Sequence, residues 1–140
     1  MSRPTIATPQ ATLVPVERRT EFLPRLFGRR LMLVCECAVF DFMTWLSPQD
    51  YGGGHWDFYE LDGAPLFLAP ASEKRFRIAC GTNGYEGVMS AEAAGITATL
   101  FAFSHLSFQN DAEELTEGYA RLHGYAAGHQ DACEIFQAID

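Results

Sequence analysis

Two turn dipeptides, Asp62-Gly63 and Asn83-Gly84, constrain the fold of this chain more than any other sequence feature. Asp-Gly and Asn-Gly supply the positive φ angles that tight hairpin turns require. Each dipeptide lies between two short runs of strand-forming residues, so each predicts a β-hairpin. The four predicted strands are His55–Leu61, Pro65–Ala69, Phe76–Thr82 and Tyr85–Met89. Because only the short Ala71–Lys74 loop joins the hairpins, we expect one four-stranded antiparallel β-meander.

The segment after the second hairpin predicts a buried helix. Ser90 is a typical N-cap residue, and the helix predicted from it to Phe108 is apolar on nearly every side. A helix without a polar face belongs in the middle of a protein, so we expect it to pack against the sheet. Capping-box patterns predict two later helices, and the pairs that form these patterns are Asn110 with Glu113 and Asp131 with Glu134.

The N-terminal part of the chain divides into an arm and the start of a domain. Residues 1–15 contain three prolines among serine and threonine residues, and this composition predicts a flexible arm. Beyond it, apolar spacing predicts a helix over Val16–Phe27, a short strand over Leu31–Cys35 and a helix over Val39–Leu46. Residues 16–140 are therefore predicted to form one α+β domain, in which the meander packs against several helices.

The chain is long enough to fold without a metal or a disulfide. Its 140 residues correspond to one domain, which can bury about two thirds of the surface of the unfolded chain. The four cysteines lack the spacing of a zinc site or a redox pair, so we expect free thiols in a reducing compartment. The N-terminus has no apolar signal segment, and no run of about 18 apolar residues follows. These observations predict a soluble, cytoplasmic protein without a cofactor.

Candidate catalytic and metal-binding residues do not form a known pattern. The four histidines lack the spacing of metal ligands. Glycines 52–54 open a predicted strand, whereas a phosphate-binding loop opens a helix. Cys80, Ser104 and His105 are the only nucleophile and base candidates, and no elbow motif or orienting partner accompanies them. We therefore predict no catalytic, cofactor-binding or metal-binding residues, and a small hydrolase or ligand-binding enzyme is the least favoured alternative.

An aromatic cluster around the first predicted strand is the first candidate binding surface. Alternation along a strand places Trp56 and Phe58 on one face, which is predicted to be core, and His55 and Tyr59 on the other. Aromatic residues are common in interface hot spots, so the second face suits a protein partner if it is exposed. A sheet covered on both faces is an equal alternative. Tyr51, His55 and Tyr59 are candidate partner-binding residues.

The second candidate surface is acidic and lies near the C-terminus. The net charge is −8, and residues 110–140 hold seven of the 18 acidic residues but one of the ten basic residues. The candidate partner-binding residues here are Asp111, Glu113, Glu114 and Glu117. Their place at the positive end of a helix dipole favours an ordinary solvated face, and a DNA mimic with carboxylates in place of phosphates is the alternative. Direct DNA binding is disfavoured, because this acidity repels a phosphate backbone.

Several long motifs resemble those of the ArdB/KlcA antirestriction protein family. The motifs are D-Y-G-G-G-H-W-D-F-Y-E-L over Asp50–Leu61, L-F-L-A-P over Leu66–Pro70, N-G-Y-E-G-V-M-S-A-E-A-A-G-I over Asn83–Ile96 and F-S-H over Phe103–His105. Helical spacing is similar over residues 18–46 and 119–140, so the likeness covers nearly all of the chain beyond the predicted arm. The chain departs from the family at Gly52, where serine is frequent, and at the Asp62–Pro65 turn. His55 stands at a varied position and therefore has no family role.

The resemblance implies that the protein protects incoming DNA of plasmids, phages and other mobile elements from a host's type I restriction-modification enzymes. It also implies a compact fold of helices and strands, and it offers no catalytic residues to transfer. We therefore expect a non-enzymatic inhibitor that contacts a protein partner, either the type I restriction-modification complex or a factor that controls it. An acidic DNA mimic that occupies the enzyme's DNA groove is the second expectation, and the small hydrolase is the third.

Overall fold

A computed structural model describes residues 9–140 of the chain, and it contains both helices and antiparallel strands. A 3₁₀ turn over Val16–Arg18 leads into the first helix. In chain order, the elements are β1 (Thr12–Leu13), α1 (Arg19–Phe27), α2 (Met32–Leu46), β2 (Trp56–Leu61), β3 (Ala64–Pro70), β4 (Arg75–Cys80), β5 (Tyr85–Ser90), α3 (Ala91–Ser107), α4 (Glu113–Ala126) and α5 (Ala132–Ile139). The predicted α+β class is confirmed. Among residues 9–140, no helix has the length and apolar character needed to cross a membrane.

The first described residues are attached to the sheet. Strand β1 pairs antiparallel with β2. The Val14 amide donates a hydrogen bond to the Phe58 carbonyl at 2.9 Å, and the Val14 side chain is buried. Of the arm predicted over residues 1–15, residues 1–8 lie outside the described residues, and residues 12–14 belong to the folded domain.

The four main strands form two separate hairpins, so the prediction of one continuous meander is wrong in this detail. Strands β1, β2 and β3 form one antiparallel sheet, and β4 and β5 form another. The outer edge of β4 is already occupied at Arg77. Its amide donates to the Asp50 carboxylate at 2.8 Å, and its carbonyl accepts the Ser47 hydroxyl at 2.7 Å. Because the segment after α2 satisfies these backbone groups, β3 has no free edge of β4 to pair with at this point.

Both turn dipeptides close hairpins, as predicted, but with different geometries. Asp62 and Gly63 have φ angles of 51° and 77°, which fit a tight two-residue turn. The second hairpin has a longer loop, because β4 already ends at Cys80. Only Gly84 has a positive φ there, while the Asn83 side chain accepts the Tyr85 amide at 2.9 Å.

Helix α2 corrects the prediction of a strand over Leu31–Cys35. The helix is continuous from Met32 to Leu46 and includes the helix predicted over Val39–Leu46. Four of its residues recur at helical spacing and are buried, namely Cys35, Val39, Met43 and Leu46. A short apolar run cannot distinguish a strand from part of a helix, and here the tertiary contacts of the longer helix decide.

Helix α3 forms the centre of the domain, as predicted. The Ser90 hydroxyl caps it by accepting the Ala93 amide at 3.1 Å. The helix packs against strand β3 and against helices α2, α4 and α5. Its closest approach is at Gly95, where an added Cβ would lie 2.5 Å from the Leu68 carbonyl oxygen. The missing side chain therefore lets helix and strand backbones meet directly.

The capping-box prediction is wrong for both C-terminal helices, although both helices exist. Ala112 is the N-cap residue of α4, and the Asn110 side chain instead donates to the Leu106 carbonyl at 3.1 Å. Asp131 is the N-cap residue of α5, but its carboxylate accepts the Ser90 amide at 3.0 Å. The Asp131 carboxylate thus accepts a distant amide instead of capping its own helix. This hydrogen bond holds α5 beside the junction of β5 and α3.

Candidate functional site

The aromatic candidates around β2 do not share one environment. Tyr51 is half-buried, and its hydroxyl accepts the Trp56 indole N–H at 3.0 Å. The two rings meet edge to face at 5.8 Å between centroids. Trp56 also packs on Phe40 of helix α2 at 5.0 Å. Tyr51 therefore positions a core tryptophan, and much of its contact area is already used inside the protein.

His55 and Tyr59 lie on the face of β2 opposite to Trp56, as predicted. The His55 side chain is 73% exposed, and its Nε2 lies 4.0 Å from an Asp57 carboxylate oxygen. Tyr59 is half-buried and stacks on Phe67 with 4.6 Å between ring centroids. Burial raises the pKa of Tyr59 to about 12, and the nearby carboxylates of Glu92 and Asp57 add to the effect. This face is thus partly covered. The sequence left open whether it is exposed or fully covered, and the structure lies between the two.

A cleft of about 600 Å³ lies beside Tyr59, and we call it the polar cleft. It is formed where the β2–β3 sheet, the loop after β3, the start of α3 and the end of α4 with the segment after it meet, and Pro9 and Gln10 also line it. Its lining includes residues from each of these elements, namely Asp57, Tyr59, Ser72, Glu73, Glu92, Tyr125 and His129. His55 and Tyr51 line a neighbouring depression of about 370 Å³, which shares Pro70 and Ser72 with the polar cleft.

His129 lies in the polar cleft, although no sequence motif points to it, and its hydrogen bonds define its tautomer. Its Nδ1 accepts the Asp131 amide at 3.0 Å, so Nδ1 carries no proton. The proton is therefore on Nε2, which donates to the Glu92 carboxylate at 3.2 Å. The His129 side chain is only 10% exposed. Positions 92 and 129 are 37 residues apart, and no local sequence signal connects them.

The chemistry of the polar cleft favours cationic groups over anionic ones. Three carboxylates line it, those of Asp57, Glu73 and Glu92, and no lysine or arginine does so among the residues that the structure describes. A phosphate would be repelled here, so the cleft is unsuited to nucleic acid. Within residues 9–140, no group of three His, Cys, Asp or Glu side chains is arranged to hold a metal ion.

The acidic candidates lie at the opposite end of α4 from the polar cleft. Asp111, Glu113, Glu114 and Glu117 are all exposed around the first turns of this helix. The polar cleft instead receives residues from the C-terminal end of α4, about 18 Å further along the axis. The structure therefore does not bring the aromatic and acidic candidates together, and they belong to two separate surfaces.

The enzyme candidates are also dispersed. Cys80 is buried at the end of β4, and its sulfur lies 3.2 Å from the Thr82 hydroxyl. Ser104 is half-buried on α3, and the neighbouring His105 is exposed. The His105 ring packs edge-on against Phe42 of helix α2, with 5.7 Å between centroids. In the described part of the chain, no hydrogen bond joins Cys80, Ser104 or His105 to another of the three.

An apolar groove between α2 and α3 is a further surface, and none of the predicted partner-binding residues lines it. Two adjoining depressions of about 350 and 400 Å³ share Ala38, Asp41 and His105, and together we call them the α2–α3 groove. Their other lining residues are Leu33, Val34, Cys37, Phe42, Trp45 and Leu106. The sequence contains a signal for this groove, an apolar run longer than one buried helix face requires. The strand predicted over Leu31–Cys35 divides that run, whereas in the structure it is one helix.

Comparison with known proteins agrees with the resemblance noted in the motifs. A family model described as "Antirestriction protein" matches residues 49–140. An antirestriction protein KlcA of Escherichia coli is 40% identical over 134 residues, which cover 93% of this chain and 94% of the relative. A second KlcA of Escherichia coli is 40% identical over 136 residues, covering 93% of this chain and 92% of the relative. The uncharacterized protein YafX of Escherichia coli K12 is 36% identical over 132 residues, covering 92% of this chain and 86% of the relative.

The fold is shared as well as the sequence. A solved structure from work on the KlcA and ArdB proteins superimposes with a TM-score of 0.84 at 38% sequence identity, covering 99% of this chain and 100% of the other. That work describes a novel fold with antirestriction activity against type I DNA restriction systems in vivo but not in vitro. Because the relatives match over nearly their whole length and the structures superimpose, the chain belongs to the ArdB/KlcA antirestriction protein family.

Proposed function

We propose that this protein protects incoming mobile-element DNA from type I restriction by contact with a protein partner and without catalysing a reaction. The observation that carries the proposal is the family membership, which extends over nearly the whole chain. The partner is the type I restriction-modification complex or a factor that controls it. The surfaces of the domain are consistent with contact, because the structure offers a polar cleft and an apolar groove for recognition.

The conditions under which the KlcA and ArdB proteins act bear on the choice of partner. Their activity against type I systems is described in vivo but not in vitro. A simple competitor for the DNA groove of the restriction enzyme needs only the purified enzyme and would act in both settings. If this chain behaves in the same way, its target includes a component that is present in cells, which favours a controlling factor.

The extent of the acidic surface argues against a DNA mimic. From Glu113 to Glu117 helix α4 advances by about 6 Å, and a DNA strand carries one phosphate per about 3.4 Å along the axis. The three carboxylates on the helix therefore correspond to fewer than two steps of one strand, and Asp111 lies just before the helix. Glu114 is also partly engaged, since it lies against Gly28 at the end of α1, 3.3 Å from where a Cβ would stand.

The proposal is tested by plating unmodified phage on cells that carry an active type I system, with and without this protein. We expect the protein to raise the recovery of unmodified phage. Recovery of modified phage, and of any phage on cells without the system, is the control and should not change. Unchanged recovery of unmodified phage at confirmed expression would refute the proposal.

Two sets of variants separate the three mechanisms. The DNA-mimic alternative requires that protection is lost when the four carboxylates Asp111, Glu113, Glu114 and Glu117 are changed to amides. We expect retained protection. The enzyme alternative requires loss of protection in Cys80→Ala or in His105→Ala, and an unchanged phenotype in both eliminates these side chains as catalytic groups. Cys80→Ala is the cleaner test, because His105 also lines the apolar groove between α2 and α3. Circular dichroism confirms in each case that the variant is folded.

A further inference from the structure

The outer face of α2 is apolar although it faces solvent. Leu33 is 64% exposed, Val34 53% and Trp45 43%. These residues lie on the side of the helix opposite to the buried stripe of Cys35, Val39, Met43 and Leu46. A helix with apolar residues on both faces is normally covered on both faces. The second face of α2 therefore has the composition of a contact surface.

The groove beside this face has a firm aromatic wall. The Phe42 ring stacks on Phe101 of helix α3 at 5.4 Å, and Trp45 packs edge-on against Phe101 at 6.0 Å. His105 closes the same wall by its edge-on contact with Phe42. These rings already hold one another in place. Covering them with a ligand therefore costs the protein little further side-chain entropy.

A single carboxylate lies in the middle of this apolar surface. Asp41 is exposed and lines both depressions of the groove. Among the ion pairs formed by the described residues, none includes Asp41. Among residues 9–140, no lysine or arginine lines the α2–α3 groove, and the basic side chain that does so is that of His105. A partner that brings a lysine or arginine to Asp41 therefore supplies a permanent counter-charge to the carboxylate as it is desolvated.

We propose that the α2–α3 groove binds an amphipathic helix of a protein partner, which lays an apolar stripe along α2 and pairs a lysine or arginine with Asp41. The inference rests on the proposed function and names the surface and the partner chemistry for it. From Leu33 to Trp45 the groove face extends about 18 Å, which matches about three turns of a partner helix. Two helices line the groove, so it offers no unpaired strand edge for an extended peptide.

A second copy of this chain is the competing occupant, and charge disfavours it. Each chain has a net charge of −8, so two copies repel each other. A symmetric contact through this face would also bring two Asp41 carboxylates into one apolar interface. A basic helix of another protein has neither problem.

The apolar part of the proposal is tested by Val34→Asp, with Val16→Asp as a matched control. Both substitutions place a carboxylate at an exposed valine, and Val16 is 81% exposed in the 3₁₀ turn outside the groove. We expect Val34→Asp to lose protection in the phage assay at an unchanged Tm, while Val16→Asp protects like the wild type. Full protection by folded Val34→Asp would overturn the proposal. If the wild type itself fails to protect, the proposed function fails, and the binding measurement below still decides the groove.

The charge part is tested with two tryptophan-free amphipathic peptides of about 15 residues, identical except for a central lysine or glutamate. Trp45 fluorescence reports binding, because the other tryptophan, Trp56, is buried. We expect the lysine peptide to bind about tenfold more tightly than the glutamate peptide. In Asp41→Lys this preference should reverse, and Val34→Asp should bind neither. Equal binding of both peptides, or a wild-type dimer in ultracentrifugation that Val34→Asp dissociates, would overturn the assignment.

Discussion

The contact between α3 and β3 yields the sharpest prediction for stability, because it depends on a glycine inside a helix. Gly95 lies in the second turn of α3 and packs directly against strand β3. A Cβ at this position would lie 2.5 Å from the Leu68 carbonyl oxygen and would also collide with the backbone of Ala69. Ordinary van der Waals contact begins about 1 Å further away. These obstacles are backbone atoms, which cannot rotate aside as a side chain can.

Two opposing effects determine the magnitude for Gly95→Ala. Forcing an extra carbon into a close-packed core costs about 1–3 kcal/mol, and the rigid backbone places this site at the upper end. Alanine is the better helix former, and this offsets about 1 kcal/mol. The expected net loss in the free energy of unfolding is therefore about 2 kcal/mol. For a domain of this size, Tm falls by about 4 °C for each kcal/mol, so we expect a decrease of about 8 °C.

Gly124→Ala is the matched control, because Gly124 also lies inside a helix. Apart from its chain neighbours and the backbone of its own helix, no heavy atom of the described residues comes within 4 Å of where its Cβ would stand. Only the helix-propensity term applies, so this variant should gain about 0.5–1 kcal/mol and about 2–4 °C in Tm. Thermal and urea unfolding, followed by circular dichroism, measure both variants. A Gly95→Ala protein that melts at or above the wild-type temperature would refute the close-contact argument.

Three further predictions concern other parts of the domain. We expect Ellman's reagent to titrate the exposed thiols of Cys37 and Cys133 rapidly. The thiols of Cys35 and Cys80 should react only on unfolding, because both are buried and burial raises the pKa of Cys35 to about 12. Ser90→Ala removes the N-cap of α3 and should cost about 1 kcal/mol in urea unfolding. Burial raises the pKa of Asp131, but hydrogen bonds from Ser90 and the charge of Arg75 outweigh it, so the pKa lies below its usual value. The Asp131 carboxylate therefore stabilises the fold above a pH of about 4, and this contribution disappears as the pH falls through the lowered pKa. The Tm of Asp131→Asn should be lower than that of the wild type at neutral pH, and the two values should converge in acid.

The sequence predicted those parts of the fold that depend on local chemistry. The Asp62-Gly63 turn and the Ser90 cap were both readable, because each structure is made by the residues that signal it. The two-sheet arrangement was not readable, since the groups that occupy the edge of β4 come from Ser47 and Asp50, 27 or more residues away from Arg77. The N-cap prediction for α5 failed for a related reason, because Asp131 accepts the amide of Ser90, 41 residues away. At α4 the competing bond is local, since the Asn110 side chain donates to the Leu106 carbonyl near the end of α3.

The candidate surfaces show the same limit. Alternation predicts the strand face of His55 but not its exposure, and the helix-dipole argument favours a solvated face for the acidic residues at the start of α4; the structure shows both to be exposed. The pairing of His129 with Glu92 could not be predicted, because two distant segments create it. The apolar run of α2 indicates a second apolar face, but it does not say whether another element covers that face. Coverage depends on how many other elements are available, and the sequence does not give that number.

The long motifs that identify the family serve mainly to build the scaffold, and this affects where the partner should be sought. A Cβ at Gly87 would lie 2.6 Å from the Glu134 carboxylate, and Gly95 allows α3 to touch β3. Trp56 is buried in the core. Substitutions at such positions are expected to reduce protection together with stability, so they cannot locate a binding surface. Leu33 and Val34 contribute little to the core, since more than half of each is exposed. Loss of protection at unchanged Tm is therefore the criterion that separates a partner contact from a damaged scaffold, and the outer face of α2 offers apolar residues to which it can be applied cleanly.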